Sequence, residues 1–297
     1  MNWNENPFGG ASYPFAVGRV KAREASLLDR AQWSRLLEGD EAQALQALRE
    51  YGYGAGAVGD GIDAMISAEL GETAAFLAEI TPDPELTAQL LLPSDAHNLK
   101  VLLKARLVGE DPKPMLTDGG SIPTEVLRAC AEYEDFSPLG AAMERELAGV
   151  FEEQNPRLVS AAVDRAVFAR AQGFFARKKC PVLERYFAVW TRYLNLLSTQ
   201  RALRLGWTEA ETAAMLVPVI GGGEDLPTPR AGGSLRETER NMRRALLSVL
   251  REERGDSFGV APLASYLMDK QNEARNLRIL FAAKRSGQEI GEEEFDF

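Results

Sequence analysis

Apolar residues recur three and four positions apart along almost the whole chain, and strand-like alternation of β-branched residues is almost absent. The spacing predicts a helix opening at Tyr13, with Val17, Val20, Ala25 and Leu28 on one face. Two short helices follow, each opened by a capping box: Asp29 with Gln32, then Asp40 with Gln43. Residues 60–80 hold one more helix, with Gly71 a candidate break. Asp83–Pro84 opens a helix over Leu86–Leu92, which pauses at Pro93 before the next begins. Ser137–Pro138 and Asn155–Pro156 are further starts, because proline at the first helical position gives up only an N–H that lacks a helical partner. Pro181 precedes a long helix from Val182 to Leu205. Capping boxes at Thr208 with Glu211 and Ser234 with Glu237 open two more, the second carrying Glu239 and Arg243 as an i,i+4 pair. Pro262 opens the approach to the last helix. Residues 110–121 and the stretch EDLPTPRAGG before Ser234 read as loops, and the acidic tail GEEEFDF reads as frayed. The fold class this predicts is all-α.

One pattern occurs three times. Residues 98–109 read NLKVLLKARLVG, residues 195–206 read NLLSTQRALRLG, and residues 276–287 read NLRILFAAKRSG. Four columns are identical: Asn98, Asn195 and Asn276; Leu99, Leu196 and Leu277; Ala105, Ala202 and Ala283; Gly109, Gly206 and Gly287. Leu and Ala are common enough for one shared column to be chance, but not four in register. Unequal spacing between the copies speaks for repeated subdomains and against a short solenoid unit. The boundaries this predicts are an arm at 1–12 and helical subdomains at 13–115, 116–208 and 209–297.

Asn disfavours helix interiors because its side chain competes for backbone hydrogen bonds. Three at matched positions imply a shared structural duty, such as bonding a neighbouring helix or loop backbone. Gly is a helix stop, since it takes the left-handed conformation without strain. Ala implies close packing at its level. These twelve residues are architectural candidates, and no residue is a candidate for catalysis, cofactor binding or metal binding.

Composition narrows the function. A hydrophobic content of 45% with 26% charged residues is that of a globular protein. A net charge of −10 argues against nucleic acid or anionic lipid as the main partner. The N-terminus lacks the charged and apolar regions of a signal peptide, and no uncharged run approaches the length of a membrane span, so a cytoplasmic location is expected. The two cysteines, Cys130 and Cys180, read as buried thiols of a reducing compartment. The single histidine, His97, has no counterpart in the other two repeats and reads as an incidental helical residue. The glycine run Gly221–Gly223 lacks the Lys-Ser/Thr of a phosphate-binding loop.

The opening YPFAVGRVKAREASLLDRAQWSRLLEG and the ending QNEARNLRIL–AAKRSG resemble the two ends of one component of the rotary V/A-type ATPases, the C subunit of bacteria and archaea and the d subunit of eukaryotes. The resemblance runs essentially from Tyr13 to the end of the chain. It implies three similar helical subdomains about a pseudo-threefold axis, forming a funnel. It also implies a non-catalytic rotor part, one copy per complex, between the central-stalk subunits and the membrane proteolipid ring that moves H⁺ or Na⁺. No cofactor and no nucleic acid are implied, and the place would be cytoplasmic, peripheral to the membrane. A soluble helical-repeat adaptor and an α-helical enzyme using scattered acids are the other classes, the latter requiring a deep pocket with several convergent carboxylates. If the opening helix RVKAREASLL packs beside the third repeat, the two ends of the chain would close the ring of subdomains.

Overall fold

The computed structural model describes residues 12–220, 233–291 and 295. Twelve α-helices and two short 3₁₀ turns account for the regular structure of these residues, and no strand occurs among them. The chain divides into two compact units, Met1–Leu91 with Gly255–Phe297, and Leu92–Arg254. No helix among the described residues is long and apolar enough to cross a membrane.

The first unit holds α1 (Tyr13–Glu24), α2 (Arg30–Glu38), α3 (Glu41–Glu50), α4 (Ile62–Ile80), the start of α5 (Pro84–Val108) and α12 (Ala261–Ser286). Both predicted capping boxes form: Asp29 and Gln32 bond each other's backbone at the head of α2, and Asp40 and Gln43 do so at the head of α3. Each satisfies two donors that a helix start leaves open, worth about 1 kcal/mol apiece. Trp33, Leu36, Leu48, Ile62, Ile66, Leu277, Leu280 and Phe281 then bury together as one core. α12 packs on α1, α3 and α4, so the first and last helices meet in this unit. Arg19 and Arg23 of α1 lie over the Phe76 ring of α4 at 5.5 and 4.9 Å.

Three expectations fail here, each because packing overrides a local signal. α4 runs unbroken through Gly71. Its neighbours Thr73, Ala74, Phe76 and Leu77 are buried, and that outweighs the roughly 1 kcal/mol that glycine costs a helix. α5 is continuous through Pro93. Burial of Leu90, Leu91, Leu92 and Ala96 on either side offsets the lost backbone bond. The tail does not fray at Phe295, which is buried in the core with its ring 5.6 Å from Trp33.

The second unit contains the rest of α5, then α6 (Thr124–Tyr133), α7 (Ala141–Leu147), α8 (Pro156–Arg177), α9 (Pro181–Arg204), α10 (Glu209–Ala214) and α11 (Leu235–Arg251). Asn155 caps the start of α8 by accepting from the Arg157 N–H, and the Thr208–Glu211 box opens α10. Ser137–Pro138 starts only a 3₁₀ turn, because the chain turns at Gly140, whose φ is +87°, before α7 begins. α8 and α9 pack through aromatic rings: Phe168 meets Trp190 at 4.9 Å, and Phe175 meets Phe187 at 5.5 Å. α11 lies along α9, where Glu239 bonds Arg201 at 2.7 Å and Glu252 bonds Arg185 at 2.8 Å. Glu239 thus reaches across to a second helix. At the head of α11, Ser234 accepts from the Glu237 N–H, but the Glu237 carboxylate accepts from Gly233, so the box is shifted by one residue. Cys130 and Cys180 are both buried, and neither forms a disulfide. Residues 1–11 of the arm and nearly all of the loop EDLPTPRAGG lie outside the described residues.

Phe295→Ala removes a buried ring and its contact with Trp33. It is expected to lower the unfolding free energy by about 3 kcal/mol, measured by urea titration. A loss within the few tenths typical of surface changes would show that the tail is not part of the core.

Candidate functional site

The three repeats end three helices, and they end them alike. Gly109, Gly206 and Gly287 have φ of 74°, 68° and 67°, the left-handed region where only glycine is unstrained. The residue after each donates its N–H back to the repeat's alanine carbonyl: Glu110 to Ala105 at 2.9 Å, Trp207 to Ala202 at 3.0 Å, and Gln288 to Ala283 at 3.0 Å. This six-to-one bond satisfies a carbonyl the helix end would leave open. Ala105, Ala202 and Ala283 are all buried, as are Leu99 and Leu277, while Leu196 is half-buried.

Two of the three asparagines hold what comes after the turn. The Asn98 amide donates to the Thr117 carbonyl at 2.8 Å and accepts from the Thr117 N–H at 2.9 Å. Asn195 treats Val217 identically, at 2.8 Å in both directions. A primary amide has the donor and acceptor of a peptide group, so it pairs with one residue's backbone as a strand neighbour would. Asn276 is buried at 1% exposure. Its Oδ1 lies 3.4 Å from Arg275, and Phe295 stands nineteen residues on, the interval that separates Asn98 from Thr117.

Two neighbours of the first asparagine extend its grip. His97 Nε2 lies 2.9 Å from the Met115 carbonyl, which gives this residue a loop-holding contact where sequence suggested an incidental one. Asp95, at 1% exposure, accepts from the Ser121 hydroxyl at 2.5 Å and the Ile122 N–H at 3.0 Å. Burial pushes its carboxyl above the usual carboxylate range, against the opposing pull of those bonds. Together Asp95, His97 and Asn98 fasten the loop after α5 at three points.

A second cluster was invisible in the sequence. Lys270 of α12, at 1% exposure, lies 2.7 Å from Glu69 of α4 and 3.0 Å from Glu273 one turn on. The other Glu273 oxygen accepts from the Leu28 N–H at 2.6 Å, and the other Glu69 oxygen from the Gly54 N–H at 3.1 Å. The Tyr53 ring faces the ammonium at 5.5 Å. Burial works against the Lys270 charge, but Glu273 and Glu69 outweigh it and hold its pKa above the ordinary lysine value. Burial raises the Glu273 carboxyl, only partly offset by Lys270 and the Leu28 N–H. In sequence, Lys270 and Glu273 look like an ordinary exposed i,i+3 pair, and the apolar stripe on both sides of them was the one available signal.

One ammonium between two carboxylates is a closed network, and the Asn clasps are backbone contacts. Among the described residues no group of three or more His, Cys, Asp and Glu is placed to hold a metal ion. The comparison with known proteins is decisive instead. A family model described as "ATP synthase (C/AC39) subunit" matches residues 16–224 and 219–293. The chain belongs to this family. It is similar to the C subunit of the V-type ATP synthase of Thermus thermophilus, 26% identical, with 90% of this chain and 93% of the relative covered. It is also similar to the C subunit of the V-type sodium ATPase of Enterococcus hirae, 22% identical over 90% and 92% of the two chains. The C subunit of the A-type ATP synthase of Methanothermobacter thermautotrophicus is 25% identical over 92% and 84%. In this C/AC39 member, α1 and α12, which lie near the two ends of the matched region, pack on each other.

Asn98→Ala leaves the Thr117 N–H and carbonyl without partners and is expected to cost about 2 kcal/mol. Hydrogen exchange of the Thr117 amide should accelerate, with Asn195→Ala doing the same at Val217. Unchanged exchange at both would show that the clasps carry no load.

Lys270→Met strands two buried carboxylates and should cost about 3–5 kcal/mol. The pH dependence has a definite sign. A folded pKa above the unfolded one means the native state holds the proton harder, so this stability is full below about pH 10.4 and is lost as pH rises through the folded value. Urea titrations between pH 8 and 11 should show the wild type losing stability and the variant lacking the Lys270 share of that slope.

Proposed function

We propose that this chain is a non-catalytic rotor subunit of a V/A-type rotary ATPase, joining the central stalk to the membrane proteolipid ring. Torque from ATP hydrolysis in the catalytic head would pass through it to the ring and move H⁺ or Na⁺, or run in reverse for ATP synthesis. What carries the reading is the family match over residues 16–293, reinforced by relatives that are all named as C subunits of such complexes. The reading includes three similar subdomains at 13–115, 116–208 and 209–297 about a pseudo-threefold axis, as a funnel. It places one copy in each complex, on the cytoplasmic face, peripheral to the membrane and without a cofactor. The threefold helix end supports the internal repeat, because three helices close with the same glycine turn and the same alanine carbonyl bond. A part that transmits torque has to resist deformation, and closely packed helices with low compressibility suit that demand.

The test is removal. Complexes assembled without this subunit should keep ATP hydrolysis in the soluble head and lose ATP-driven ion uptake in membrane vesicles. Restoring the chain should restore uptake. Uptake that is unchanged without the subunit would sink the reading, as would failure of the chain to co-purify with stalk and ring subunits.

A further inference from the structure

An open cavity of about 600 Å³ lies among α6, α7 and α8, wholly within the second unit. Ile122, Val126 and Leu139 give it an apolar side, and α8 contributes Arg170, Gly173 and Arg177. These three are spaced i, i+3 and i+7, so they share one face of the helix. No Asp or Glu is among the lining residues, and neither arginine makes an ion pair with a described carboxylate. Asp95 lies behind the wall and acts on Arg170 electrostatically, but both its oxygens are already engaged by Ser121 and Ile122. Arg170 otherwise approaches only the Met143 sulfur, at 3.9 Å. A chain of net charge −10 therefore presents two guanidinium groups to an empty space.

Gly173 is the second observation. Glycine inside a helix costs roughly 1 kcal/mol against alanine. Close helix packing is the usual reason to keep one, and it does not apply here. A Cβ at Gly173 would meet nothing but the Arg177 guanidinium, at 3.9 Å. The residue leaves room in the cavity between the two arginines and not room for a neighbouring helix. The opposite wall is held rigid, because Asp95 fastens Ser121 and Ile122, and a Cβ at Gly120 would collide with the Asp95 carboxylate.

We propose that this cavity binds an acidic peptide segment of a partner protein, with a carboxylate on Arg170 and Arg177 and an apolar side chain against Ile122, Val126 and Leu139. Guanidinium matches carboxylate geometry through paired hydrogen bonds. The apolar side selects a peptide over a bare anion, which would leave that surface wet. The volume accommodates a few side chains. The inference concerns the chemistry of the peptide and stands apart from the rotary role.

The test uses the full chain and a fluorescein-labelled decapeptide of alternating glutamate and leucine, read by fluorescence anisotropy. Saturable binding is expected, at least tenfold tighter than for the glutamine–leucine counterpart. Arg177→Glu, and Arg170→Glu with Arg177→Glu, should each weaken it at least tenfold. Gly173→Leu fills the cavity without changing charge and should weaken it equally, while the thermal midpoint holds or rises because glycine is removed from a helix. Absence of saturable binding to the wild-type chain overturns the proposal. So do equal affinities for the two peptides, or binding untouched by Gly173→Leu and by charge reversal. Full displacement of the peptide by millimolar phosphate also overturns it, since it reduces the cavity to an anion site.

Discussion

A buried ammonium constrains everything around it. Lys270 cannot be withdrawn from water without anionic partners, and Glu69 and Glu273 supply two. Two carboxylates then exceed one ammonium, and the excess has to be met by donors. The N–H groups of Leu28 and Gly54 meet it. The turn before α2, the loop after α3, and helices α4 and α12 must all be in place at once for the cluster to close. Replacing such a cluster by apolar groups is often neutral or better for stability, but this one closes only with all four elements in one arrangement. That arrangement joins segments more than 240 positions apart in the chain.

The helix ends work on the same principle with neutral groups. A helix that stops leaves carbonyls unpaired, and a chain that reverses after it exposes more. The repeat solves both within twelve residues. Asn and Ala are seven positions apart, two turns, and so lie on one face of the helix. The chain leaves at Gly, returns along that face, and meets Asn at Thr117 or Val217. The buried alanine lies between the two on the same face. One face therefore reads, from the helix end backwards, as glycine stop, alanine carbonyl bond and asparagine clasp.

Features that depend on neighbours in sequence were legible. The capping boxes at Asp29, Asp40 and Thr208, the proline starts at Pro84, Pro156 and Pro181, and the left-handed glycines all follow from a few adjacent side chains. Features decided by tertiary packing were not. Gly71 and Pro93 look like breaks until the buried residues on either side are known. Phe295 looks like part of a charged tail until Trp33 is found beside it. Lys270 and Glu273 have the spacing of a surface pair, and only the third partner on α4 makes them a core feature. The asparagines were conspicuous by repetition, yet their targets, Thr117 and Val217, carry no shared residue type, because the bonds are to backbone.

The helix ends bear directly on the proposed role in carrying torque. A load entering an isolated helix end is resisted mainly by that helix's own terminal turn, the part that frays first. In this chain the ends of α5 and α9 are each closed by a glycine turn and tied sideways through an asparagine to the following segment. The end of α12 is held by Lys284, which donates to the carbonyls of Leu37 and Gly39, and by Arg285 on Glu41 at 2.7 Å. Each contact is worth only about 1 kcal/mol, but they act in parallel, and a displacement at one end must break several at once. Such bracing suits a part that is turned as a body, and it requires no residue to react with anything.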